Sequence, residues 1–431
     1  MTGHQLFFVT LPRDRVAEPA LPDLDRVLSP RPETERKLVT PPVMAGLAHL
    51  LLVHVVAAIT VWRSPARDAL RPVLEGPAKY LVSPFTLWDG AWYEQIARSG
   101  YSSQREAAAF WPIYPWLIRA FSRLSGIGIP TTGVLISHIA FLGALLVLYR
   151  MIATEHGAAI ATRAVWLLAL SPVAFFFSAL YSESLFLLLS VSAIALAREG
   201  RWRGVALALF AVTLTRSAGA LVALPVGLAL VGQFGWSPRR WWRQGLLLVV
   251  AASGPLLFMF RLDRLWGDPL LMLHAQSHWN RVFSWPWQTL WKGFRLIELR
   301  YVMGRQTCYD ALRDGAWAPC RDALDLRVNS LSDDLALASV LLALALFPIV
   351  IRKLNPGDAV YAVALLIFPM FSMAPDSPLL SFPRFLLVSY PLFLALALLL
   401  RKRSWFVTVL SIEAITLCWL LSIFARAYFV A

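Results

Sequence analysis

Three arginines and two carboxylates stand out because their neighbours are apolar or aromatic. Arg216 sits in Thr215-Arg216-Ser217 inside a long apolar stretch, Arg281 follows His278-Trp279-Asn280, and Arg384 closes Ser381-Phe382-Pro383-Arg384. A guanidinium presents a planar fork of donors that matches two phosphate oxygens, so the three together form a candidate site for a phosphate-bearing molecule. Singly, each is explained as a basic side chain reaching from a membrane helix to the lipid headgroups. The carboxylates are Asp89, in Trp88-Asp89-Gly90-Ala91-Trp92-Tyr93-Glu94, and Glu183, at the end of the turn Tyr181-Ser182-Glu183. Asp89 suits the N-cap of a helix starting there, and capping does not exclude catalysis. Glu183, at a tight turn, is expected to be solvated.

Whether these residues meet depends on how the chain is threaded. Of 431 residues, 58% are hydrophobic and 15% charged, against about 25% charged in soluble domains, so the chain reads as an integral membrane protein. A net charge of +14 would suggest nucleic acid in a soluble chain, but there is no basic stripe and no nucleic-acid motif. The basic residues punctuate the apolar runs instead. They cluster at Arg150 with Arg163, at Arg198, Arg201 and Arg203, at Arg239, Arg240 and Arg243, at Arg352-Lys353, and at Arg401-Lys402-Arg403. The positive-inside rule places those loops in the cytoplasm. Residues 1–40, polar and without an apolar signal core, are then expected as a disordered cytoplasmic tail.

Residues 41–431 are expected to form one membrane domain. Spans of roughly 17–25 apolar residues fall at about 43–62, 131–149, 184–197, 244–262, 335–351, 357–373, 384–400 and 404–424, with another emerging at Tyr181. The stretch 204–233 is too short for two full helices, which predicts two half-spans, or a re-entrant pair, broken near Arg216. The expected fold is all-α and polytopic, with about eleven crossings and two long extracytoplasmic segments, 64–129 and 263–334, containing interfacial helices.

The polar and aromatic clusters then share the outer side. Trp88, Trp92 and Ile96 recur at helical spacing and are expected to lie on the membrane interface. The run Phe110-Trp111-Pro112-Ile113-Tyr114-Pro115-Trp116 reads as an aromatic belt or as the lining of a groove for a lipid or sugar. His49, His54, His138 and Glu413 lie within spans and are expected to make interhelical hydrogen bonds. Asp322, Asp325, Asp333 and Asp334 read as a solvated face. With no zinc spacing and no paired Asp/Glu/His cluster in the outer loops, neither a metal nor another cofactor is expected. Cys308 and Cys320 share an outer loop and are suited to a disulfide there.

The order of motifs is itself recognisable. WDGAWYEQIARSGY, AAFWPIYP, SPVAFFFSALYSESLF, TRSAG and SFPRFLLVSYPLF, spread over about 81–392, resemble the PIG-V family, GPI mannosyltransferase II, and its bacterial relatives. The resemblance implies a GT-C architecture, a polyprenyl-phosphate sugar donor, typically of mannose, and chemistry on the extracytoplasmic side. It implies that Asp89 is the essential aspartate of the first outer loop, acting as general base in an inverting transfer to an acceptor hydroxyl of a glycolipid, glycan or glycoprotein. Arg216, Arg281 and Arg384 would hold the donor phosphate. Trp88, Tyr93, Tyr101, Tyr114, Tyr181, Glu183 and His278 would contact sugar, acceptor or lipid. The preference for arginine over lysine fits a bacterial genome, hence a bacterial plasma membrane. Bacteria largely lack GPI anchors, so the acceptor in the family name is not carried over. A lipid or lipid-glycan transporter is the competing reading, favoured by the break at Arg216.

Overall fold

The structure is a computed structural model that describes residues 33–63, 74–296, 298 and 318–430. The principal helices are α1 (Glu33–Arg63), α2 (Asp89–Ser99), α3 (Ile113–Ser125), α4 (Ile129–His156), α5 (Ala158–Leu170), α6 (Glu183–Arg198) and α7 (Trp202–Thr213). They continue as α8 (Ala223–Phe234), α9 (Pro238–Trp266), α10 (Ala318–Lys353), α11 (Pro356–Ile367), α12 (Phe382–Leu387), α13 (Tyr390–Leu399) and α14 (Arg403–Phe424). Residues 38–431 cluster as one unit; of the preceding unit, Met1–Lys37, only the helical start at Glu33 is described. The first helix therefore begins inside the stretch expected as tail.

Among the described residues, six helices are long and apolar enough to cross a membrane, and four shorter apolar ones accompany them. This is a multi-pass, helical membrane protein. The expected eleven full crossings do not appear as eleven long helices. The run emerging at Tyr181 is a 13-residue α5 followed by irregular chain and a 3-10 turn, Ala174–Phe177. The span expected at 384–400 is divided into α12 and α13. Short and broken helices are tolerated where protein, rather than lipid, surrounds the interrupted backbone. That condition holds here, since Phe175, Phe176 and Phe177 are fully buried.

The break at Arg216 is as expected. Helix α7 stops at Thr213, Arg216 is extended, a 3-10 turn runs over Ser217–Val222, and α8 resumes at Ala223. Gly219 fits there because a Cβ would lie 2.2 Å from the carbonyl oxygen of Val212.

His49 makes the interhelical bonds expected of it, donating from Nδ1 to the carbonyl of Ala169 at 2.7 Å and accepting at Nε2 from the Ser178 hydroxyl at 2.9 Å. His54 and His138 meet edge to face, 5.1 Å apart, while Glu413 Oε2 has no hydrogen-bond partner among the described residues. Asp333 is buried and accepts from the Ser377 hydroxyl, not solvated as expected. The pairing of Cys308 with Cys320 lies outside the described residues.

A polar lock ties four helices together away from the outer clusters. Arg198 at the end of α6 reaches Glu155 at the end of α4 (2.6 Å) and Asp358 in the first turn of α11 (2.5 Å), and Tyr390 of α13 donates to the same Asp358 carboxylate. Asn355 caps α11 by accepting from the Asp358 amide at 3.0 Å.

Candidate active site

The site is built on two helix N-termini that each begin with a carboxylate. Asp89 is the first residue of α2 and Glu183 the first of α6, where the exposed amides of a first turn favour negative charge. Neither caps its helix. Trp88 occupies the cap position of α2 without a side-chain cap bond, so the capping role considered for Asp89 is set aside. The turn Leu87–Gly90 is closed by the Gly90 amide donating to the Leu87 carbonyl at 3.0 Å, with Trp88 at φ 56, ψ −116. That is the geometry of a type II′ turn, whose second residue is normally glycine. Tyr181 pins it, its hydroxyl donating to the Leu87 carbonyl (3.0 Å) and accepting from the Asp89 amide (3.2 Å).

Arg384 joins the two carboxylates. Its Nη1 donates to Asp89 Oδ2 at 2.7 Å, while Nε and Nη2 both donate to Glu183 Oε1, at 2.9 and 2.7 Å. The guanidinium lies 4.6 Å from the Tyr181 ring centroid and 5.0 Å from that of Phe176, a cation–π cradle that fixes its plane. Arg216 approaches Glu183 Oε1 to 3.3 Å from the chain break and is flanked by the rings of Phe385 and Phe186. The Glu183 side chain is 0% exposed and that of Asp89 25%. The solvated position expected for Glu183 is therefore corrected: without water, its charge is met by arginine. Only Asp89 remains open to a substrate.

Arg281 completes the cluster differently. It donates from Nη1 to the Ser372 carbonyl at 3.1 Å and from Nη2 to the Leu380 carbonyl at 3.4 Å, and among the described residues no carboxylate lies within 4.0 Å of it. It is set by a two-stranded antiparallel sheet, Val282–Phe283 against Ser372–Met373, which brings the segment after α9 onto the chain preceding α12. Burial lowers its pKa to about 10, the charge on Arg384 acts in the same sense, and the charge on Asp89 opposes both. The three arginines and two carboxylates predicted from sequence thus form one neighbourhood. Their charges leave one positive in excess.

Backbone strain gathers in the same place. Among the described residues four non-glycines have positive φ, and Trp88, Asn280 and Ser381 directly precede or open the segments carrying Asp89, Arg281 and Arg384. The fourth, Ala427, lies two residues before Phe429, whose ring meets that of Trp88 at 5.4 Å. Such residues cost of order 1–3 kcal/mol each and persist where surrounding packing over-determines them.

The aromatic residues assigned to ligand contact are mostly spent on the protein itself. Tyr93 donates to the Ser182 hydroxyl (2.9 Å), Tyr101 to the Phe110 carbonyl (2.8 Å) and Tyr114 to the Gly133 carbonyl (3.0 Å); all three are buried, as is Tyr181. Burial raises the Tyr93 pKa, so its hydroxyl stays a donor. The face of Trp88, Trp92 and Ile96, expected on a membrane interface, makes contacts within the protein. Ile96 is buried, and Trp92 stacks on Phe110 at 5.7 Å and meets Trp279 edge on. His278 is exposed beside them, and Trp88 Nε1 is buried without a hydrogen-bond partner. Sequence reasoning missed the pairing of Glu183 with Arg384. Two acids and two arginines at one depth of an apolar chain were the available signal, because unpaired charges there are costly.

Among curated proteins none matches the chain. Two solved structures of ArnT from Cupriavidus metallidurans are similar to it. One, bound to undecaprenyl phosphate, has 14% identity and a TM-score of 0.48, covering 88% of this chain and 64% of that one. The other, in the apo state, has 15% identity and a TM-score of 0.44, covering 77% and 58%. The chain thus spans less than two thirds of the length of either. From residue 56 to residue 234, the stretch that carries Asp89, Glu183 and Arg216, the chain matches the model of the mannosyltransferase (PIG-V) family, which bears out the resemblance carried by its motifs and supports glycosyltransferase activity.

Proposed function

We propose that this chain transfers mannose from a polyprenyl-phosphate donor to the hydroxyl of a glycolipid, glycan or protein acceptor, with inversion, on the extracytoplasmic face of a bacterial plasma membrane. The observation that carries the reading is the accessible Asp89 carboxylate, fixed by a buried arginine, in a cluster that keeps one unneutralised positive charge. Asp89 takes the proton of the acceptor hydroxyl while that oxygen attacks the anomeric carbon. The bond to phosphate breaks on the opposite side, so a β-linked donor gives an α-glycoside. Phosphate is a good leaving group and needs no acid, only charge stabilisation.

Arg281 is the arginine best placed for that task, since Arg384 is committed to two carboxylates and Arg216 to one. An apolar groove of about 300 Å³, lined by Trp287, Leu290, Phe347, Leu366, Ile367 and Met370 among others, ends two residues from Ser372, whose carbonyl holds Arg281. Its chemistry suits the hydrocarbon tail of a lipid-linked donor. Trp88, next to Asp89 in the chain, and His278, exposed against Trp92 of the helix that Asp89 begins, are proposed to contact sugar or acceptor. The transfer as proposed draws only on the chain's own side chains.

Transport is the second reading, because the chain breaks at an intramembrane arginine. Glu183 already answers that arginine's charge. The two readings part on one experiment with purified protein in lipid and labelled polyprenyl-phosphate mannose. Transfer predicts released polyprenyl phosphate and an α-linked product. Donor recovered intact after crossing the bilayer, with every acceptor class tried, would establish transport.

A further inference from the structure

We propose that Glu183 is a positioning residue that acts as electrostatic counterweight to Arg384 and Arg216, leaving Asp89 available to accept a proton while Arg384 holds it in place. The inference rests on the reading of Asp89 as the base. A carboxylate held by arginine is well positioned but poorly disposed to take a proton, because the neighbouring cation favours its ionised form. The geometry resolves this conflict. Arg384 spends two of its three hydrogen bonds on Glu183 Oε1 and one on Asp89. Arg216 approaches the same Glu183 oxygen at 3.3 Å. Glu183 is fully buried and its ion-pair partners are the two arginines, so it acts through them.

The groups acting on Asp89 come from every side. Arg384 faces it from α12, Arg281 from the turn before the small sheet, Tyr181 from the turn opening α6 and Tyr93 from its own helix; Glu183 lies on the other side of Arg384, with Arg216 against it. With Glu183 neutralised, the two arginine charges lose that partner. Asp89 then stays ionised to lower pH and accepts a proton less readily. With Arg216 neutralised, Glu183 is balanced by Arg384 alone and the displacement has the opposite sign.

The test is the pH profile of mannosyl transfer by the full chain in lipid, at saturating and limiting polyprenyl-phosphate mannose. Glu183→Gln is expected to lower kcat about tenfold or more, with donor KM within about twofold, and to move the acid limb to lower pH by about one unit or more, the size an unbalanced nearby charge produces. Arg216→Gln is expected to move the acid limb to higher pH, and Glu183→Asp, which keeps the charge, to retain the wild-type limb. If Glu183→Gln does not fold, the sign of the Arg216→Gln displacement decides. An acid limb unmoved in the folded variants, with wild-type turnover intact, would overturn the role of Glu183 alone. Absence of wild-type turnover would instead overturn the proposed function.

Discussion

Asp89 begins a helix whose first turn favours its charge, yet the carboxylate turns to Arg384, 295 residues along the chain. That choice separates the arginines by task. Arg384 is a structural cation, sealed by two carboxylates and two rings, while Arg281 has only carbonyl partners. Arg281→Lys, which keeps the charge and loses the fork, is expected to lower kcat/KM for the donor about 10–100-fold, the worth of one charge-assisted hydrogen bond. Steady-state kinetics against donor concentration checks it; an unchanged kcat/KM would remove Arg281 from phosphate binding. Arg384→Gln takes both close hydrogen bonds from buried Glu183 and leaves it only the longer contact to Arg216, which costs about 3 kcal/mol. Its apparent Tm in detergent should fall, and adding Glu183→Gln should recover part of the loss. The five charged residues were legible in sequence because charge amid apolar neighbours is conspicuous. Their partners were not, since Glu183 and Arg384 are 201 positions apart and nothing local says that Glu183 is dry.

At the scale of elements, the site depends on places where regular structure stops. Asp89 is the third residue of a II′ turn, Arg216 lies in a broken helix pair, Arg281 precedes a two-residue strand, and Arg384 sits in a six-residue helix opened by a left-handed Ser381. The break at Arg216 could be read from the sequence because 30 residues between two basic loops cannot make two full spans. The division of α12 from α13 could not, because an apolar run does not reveal whether lipid or protein surrounds it. The breaks hold their places because long helices elsewhere are tied down, most firmly by the lock around Asp358. Asp358→Ala strips Arg198 of its buried partner and is expected to cost about 3–5 kcal/mol, whereas Asn355→Ala, which loses the cap and the neutral amide bonds to Glu155 and Asp358 but no charge, costs about 1–2 kcal/mol. Thermal unfolding in one detergent ranks the two. Equal losses would contradict the lock.

For the whole molecule, the positive-inside pattern sets a direction that the proposed function requires. Cysteine placed at Ser103, beside α2, should react with a membrane-impermeant thiol reagent applied from outside intact cells, and cysteine at Ser237, before α9, should not. Reaction at Ser237 alone would invert the topology and move the chemistry to the cytoplasm. Because the mechanism draws only on side chains, transfer should survive prolonged chelation with EDTA, and loss that added divalent cation restores would show that a metal takes part. The acceptor is not written in the residues lining Asp89, most of whose hydroxyls are used within the protein. The most direct test of the account is turnover of labelled polyprenyl-phosphate mannose by wild type and by Asp89→Asn, both purified, folded and reconstituted in lipid. Donor binding should persist in the variant while transfer and slow donor hydrolysis fall by about 100-fold or more, the scale of a lost general base. An Asp89→Asn protein that transfers mannose at the wild-type rate would contradict the central claim.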